Sequence, residues 1–115
     1  MALQHANSGV VMDLNAPSAE PGRAQTRALV KSDSFEAIQL LVCAGNEIPP
    51  HQVAGKFTLS CMEGRVIIHL DNEDVELSMG QWVFFDGGVR HSVEAVEDSS
   101  LLLTIIFGHA PGLAA

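Results

Sequence analysis

The sequence predicts an all-β domain: short antiparallel strands closed into a barrel or sandwich. Three observations carry that expectation. From Gln25 onward apolar and polar residues alternate with a period of two, turn-forming clusters recur at short intervals, and no segment carries a helical period. Several strands are also apolar on both faces, as in a sheet with a core on one side and a second sheet or subunit on the other.

In chain order, residues 1–24 mix Ala, Ser, Asn, Pro and Gly, and read as a flexible or edge-pairing arm. Within it Val10-Val11-Met12 is a short piece able to pair with a sheet edge. The barrel is expected over 25–107, with strands at Thr26–Lys31, Phe35–Ala44, Glu47–Val53, Phe57–Met62 and Arg65–Leu70. The series continues through Val75–Ser78, Trp82–Phe85, His91–Ala95 and Ser100–Phe107. Ser32–Ser34, Glu63-Gly64, Asp71–Asp74, Met79-Gly80, Asp86–Gly88 and Glu97-Asp98 supply turns, through tolerance of positive φ or side chains that bond their own backbone. Pro49-Pro50 removes two backbone donors, which marks that strand as an edge rather than a central ladder. The tail, 108–115, is expected to fray.

At 115 residues there is room for one core. Hydrophobic residues make up 47% of the chain, more than so small a domain buries, and exposed apolar patches usually mark interfaces; a homodimer is therefore expected. Fourteen acids against six bases leave a net charge of -8, and no two basic residues are adjacent, so nucleic acid and anionic membranes are poor partners. No apolar run is long enough to span a bilayer as a helix, and the start lacks the pattern of a secretion signal. The two cysteines, Cys43 and Cys61, read as buried thiols, and the expected location is the cytoplasm.

Two spacings carry the chemistry. The first is Gly45, five residues, His51, closing on Gly64; the second is Gly80, five residues, Asp86, then Gly88, two residues and His91. In this order and at this separation they resemble the paired motifs of the small single-domain cupins, over Gln25 to Phe107. The resemblance implies a double-stranded β-helix, or jelly roll, with a pocket for a small-molecule ligand. It also implies a divalent metal (Zn, Fe, Ni or Mn) on two histidines and a glutamate of the first motif and one histidine of the second. Here His51 and His91 stand in ligand positions, Val53 takes the place of the second histidine, and Phe57 that of the glutamate. Asp86 and Ala95 replace the proline and asparagine of the second motif.

Two neutral imidazoles are thin for a divalent ion, which usually takes three or four ligands. Alternation groups Phe57, Leu59 and Cys61 on one face and sets Val53 on the face of His51, so these four are the expected pocket lining. A His51, His91 and Cys61 set would suit Zn²⁺, although Cys61 reads more readily as a small core residue. The functional alternatives are a metal-dependent enzyme of unassigned reaction, a metal-free module binding an apolar or weakly acidic molecule, and an acid/base enzyme using either histidine. The last lacks a carboxylate to orient its base. His69 is expected to face outward, Arg90 to sit solvated at the rim, and Trp82, Phe84, Phe85 and Phe57 to form a stacking wall or, the favoured reading for any one of them, core. His5 and His109 fall in the tails and carry no assigned role.

Overall fold

The computed structural model describes residues 7–15 and 24–107, with the side chain of His51 outside the described set. The tail 108–115, most of the arm, His5 and His109 lie outside the described residues. Among the described residues nine strands run in the order β1 (Ala24–Lys31), β2 (Phe35–Val42), β3 (Glu47–His51), β4 (Lys56–Glu63), β5 (Arg65–His69), β6 (Asp74–Ser78), β7 (Trp82–Phe85), β8 (His91–Ala95) and β9 (Ser99–Ile106). They form two antiparallel sheets, ordered β1-β2-β9-β4-β7 and β3-β8-β5-β6, and the described residues contain no helix. This is the all-β architecture that the alternation predicts. As Pro49-Pro50 requires, β3 is an edge strand, and its pairing with β8 shifts between Ile48 and His51.

Period-two alternation determines which side chains enter the core. Across the five-stranded sheet the inward residues fall into rows. One runs Phe85, Phe57, Ile105, Glu36; the next Val83, Leu59, Leu103, Ile38, Ala28; the third Cys61, Leu101, Leu40, Thr26. The facing sheet contributes Val66, Ile68, Leu77, Val93 and Ala95, all buried. Phe57, Val66, Ile68 and Leu101 are fully excluded from solvent. Burying one such side chain is worth about 1.5–3 kcal/mol, so these rows hold the sheets face to face.

The opposite parity sends Trp82 and Phe84 outward, 61% and 43% exposed, so they form neither a stacking wall nor core. Of the four aromatics, Phe57 and Phe85 are the core pair, with ring centroids 5.1 Å apart. Residues 7–15 form no strand. That segment is instead tethered by side chains of the sheet. Gln39, with no exposed surface, donates from Nε2 to the Leu14 carbonyl (2.8 Å) and to Ser100 Oγ (3.2 Å). Arg27 Nη1 donates to the Asp13 carbonyl and to Gln39 Oε1, both at 3.1 Å. Both polar atoms of the buried Gln39 side chain are thereby matched, as burial requires.

Gly64 closes the β4–β5 turn at φ 86°, where a Cβ would meet the Asp98 carbonyl and Ser99. Gly80 has the same φ, but a Cβ there meets nothing within 4 Å. The pair separates backbone strain from steric conflict. Gly80→Ala is expected to cost about 1–2 kcal/mol, the left-handed penalty for an L residue. Gly64→Ala should cost distinctly more in equilibrium urea unfolding, and equal losses would refute the close approach of the β4–β5 turn to Asp98 and Ser99.

Candidate functional site

The two glycine-histidine segments are bonded to each other along their length. Gly45 N–H donates to the Ala95 carbonyl and Ala95 N–H to the Asn46 carbonyl, both at 3.0 Å. His51 and His91 are Cα partners in the β3–β8 pairing. Beyond them Gly88 N–H donates to the Val53 carbonyl (2.9 Å), and Gln52 Nε2 donates to the Gly88 carbonyl (2.8 Å). Gly87 packs so closely on the Ala54 carbonyl that a side chain there would overlap it. At the far ends, Gly80 N–H donates to the Cys61 carbonyl (2.8 Å). The motif glycines Gly45, Gly64, Gly80 and Gly88 all have positive φ, so each marks a turn that an L side chain would strain.

His91 is 2% exposed. Its Nδ1–H donates to the Val89 carbonyl at 3.1 Å, and since a carbonyl only accepts, this bond sets the proton on Nδ1. One face of its ring lies on Phe57, with centroids 4.6 Å apart and planes at 27°. The residue standing in the glutamate position is thus a phenyl ring stacked on the histidine of the second motif.

Beside this pair is a cavity of about 300 Å³ between the two sheets. Leu40, Leu59, His91, Val93, Leu103 and Ile105 line it as buried residues, Ile38 and Ala28 are half-buried in its lining, and Thr26 of β1 is exposed. Val53 and Leu59 line it, whereas Phe57 is packed beneath the His91 ring and Cys61 lies outside the lining. Glu36 also lines it, the one carboxylate to do so. Sequence reasoning passed over Glu36, although a signal was there: it shares the inward parity of Ile38 and Leu40, where alternation calls for an apolar residue.

Cys61 stands four residues from Phe57 along β4, about 13 Å of strand. Its Sγ donates to the Glu63 and Gly64 carbonyls at 3.4 and 3.5 Å, and burial raises its thiol pKa. It is a closed structural thiol. No disulfide joins it to Cys43, which packs with Leu41 in a separate cluster. Among the described residues no three His, Cys, Asp or Glu side chains converge as a metal site. With a phenyl ring at one ligand position and Val53 at another, the described donors do not fit the set that a divalent ion takes. Arg90 is exposed and lies outside the cavity lining.

His69 points away from the core, as alternation predicts. Its Nε2–H donates to Glu94 and its Nδ1–H to Asp74, both at 2.8 Å. Only the imidazolium donates through both nitrogens. The Glu94 and then the Asp74 hydrogen bond hold its pKa above the ordinary 6.5. Because the folded value is raised, the stability contribution is complete below the unfolded pKa of about 6.5 and is lost as pH rises through the folded value. An NMR titration of the imidazole should give a midpoint above 6.5, lowered by Glu94→Gln; a midpoint that Glu94→Gln leaves in place would refute the double bond.

Comparison with known proteins agrees with this geometry. A family model described as a cupin domain matches residues 41–107, more than half of the chain. Among solved structures, a conserved protein of unknown function from Streptococcus pyogenes superposes with a TM-score of 0.80 at 24% identity, covering 96% of this chain and 98% of that one. An RmlC-like cupin from Desulfovibrio desulfuricans gives 0.77 at 22% identity, over 87% and 97% of the two chains. A cupin superfamily protein from Desulfitobacterium hafniense gives 0.75 at 14% identity, over 80% and 84%. At these identities the likeness is one of fold. None of the curated proteins matches the chain.

Proposed function

The chain belongs to the cupin family, and from that premise we propose that it is a metal-independent module whose barrel binds a small, largely apolar molecule. The observation that carries this reading is the stack of Phe57 on His91 beside an apolar cavity of about 300 Å³. A phenyl ring gives up a ligand position and its negative charge, and it dries the wall on which a metal would sit. Val53 does the same at the second position. The cavity lies at the small end of the range for ligand pockets, with few polar points to fix orientation. His91, held by Val89, supplies one of those points.

A neutral fluorophore such as Prodan should bind at one site and be displaced by Ile38→Trp, which fills the cavity without adding charge. After incubation with Zn, Fe, Ni or Mn and desalting, the chain should retain far less than one equivalent of metal. One equivalent retained by the wild type and lost in His91→Ala would replace this reading with a metal-dependent enzyme that uses His51 and His91.

We propose a second copy of the chain as partner, docked on the outer face of the five-stranded sheet. Trp82, Phe84, Ile106 and Phe35 are exposed there, at 61%, 43%, 40% and 37%. The outward rows Phe84, Thr58, Thr104, Ala37 and Trp82, Ser60, Leu102, Gln39, Arg27 carry no acidic side chain, in a chain of net charge -8. Around Trp82 and Phe84 two copies meet with little like-charge repulsion; Asp13, bonded to Arg27, and Glu63, paired with Ser100, are acids elsewhere on this sheet. With its two thiols buried, we place the protein in the cytoplasm. Light scattering should give twice the 12.3 kDa chain mass. Trp82→Glu with Phe84→Glu should yield a folded monomer, and a wild type that is monomeric at high micromolar concentration would rule the dimer out.

A further inference from the structure

Resting on the pocket reading above, we infer that Glu36 makes this cavity selective for ligands with a cationic head, a protonated amine on an apolar body, and against carboxylates and phosphates. Glu36 is half-buried on β2, with its side chain on the cavity side. It lies in the inward row of Ile105 and Phe57, two strand spacings from Phe57, or about 10 Å. His91 stacks on that same Phe57. The carboxylate and the imidazole thus belong to opposite walls, with aliphatic side chains between them.

Among the described residues the Glu36 carboxylate makes no hydrogen bond or ion pair, and the cavity lining contains no lysine or arginine. A carboxylate beside low-dielectric walls focuses its field into the cleft. An amine seated on the apolar walls would gain a charge-assisted hydrogen bond there, while an anion would meet repulsion with no compensating cation. The net charge of -8 adds to that bias at a distance. Lys31 is the residue to weigh against this. It is the cross-strand partner of Glu36, and it is exposed at the end of β1. No ion pair joins the two, and an exposed pair of this kind contributes little. A ligand ammonium on desolvated walls is the stronger partner for the carboxylate.

The test uses three probes of one shape: 2-phenylethylamine, 2-phenylethanol and phenylacetate, titrated into the full chain and followed by ligand-observed NMR. The amine should bind at least tenfold tighter than phenylacetate, with the alcohol between them. Glu36→Gln keeps the shape and removes the charge; it should collapse the preference for amine over alcohol to within twofold while leaving alcohol binding in place. Lys31→Met should widen the amine preference. Equal binding of amine and alcohol to the wild type overturns the inference and leaves the pocket reading standing. The same holds if phenylacetate binds best until Lys31 is replaced. If none of the three binds, the pocket reading itself falls, and the inference with it.

Discussion

Strand β9 is hydrogen-bonded along both edges, to β2 and to β4, and this double pairing sets the register for the whole core. Leu101, Leu103 and Ile105 each align one inward side chain of β2 with one of β4. A slip of one residue would turn all of them to the outer face and bring Ser100, Leu102 and Thr104 inward. The cost of that exchange is several buried side chains at once, so the register is strongly specified. Glu36 lies in the row of Phe57, and Cys61 lies two rows away, because β9 measures both against the same residues.

The outward faces divide by charge. The four-stranded sheet carries Glu47, Glu94, Asp74 and Glu76 outward, with His69 and Arg65 as local counter-charges. The five-stranded sheet shows the opposite composition: exposed aromatic and aliphatic residues, small hydroxyls, and the buried Gln39 node that ties Asp13 and Leu14 to the sheet. Four of the fourteen acids thus share one outer face. Gln39 is notable because its surroundings satisfy it fully, and a buried amide without those partners would be costly.

The site shows what two substitutions in a ligand set do to a barrel. Phe57 and Val53 remove donors, and Phe57 also adds a stacking surface for His91. The polar content of the pocket then moves to the opposite wall, where Glu36 stands. The cavity that results is largely apolar, with Glu36 as the carboxylate among its described lining residues. The clasp between the two motifs is untouched, because it runs through main-chain groups. Fold and ligand chemistry are therefore separable in this domain.

Alternation is a local property, and so the strands, their inward and outward faces, the edge position of β3 and the outward setting of His69 were legible in the chain. The motif glycines were legible for the same reason, since a positive φ is a demand of one residue on itself. The sequence by itself also determined that the usual metal donors are incomplete: Val53 and Phe57 are simply not ligands. Which side chains share a wall was not legible, because that depends on pairings between strands far apart in sequence. Only the tertiary structure separated Cys61 from His91, stacked Phe57 on His91 and brought Glu36 and His91 to one cavity. The physical reason is register: a strand carries its own period of two, but its alignment with its neighbours is set by the burial of every row together.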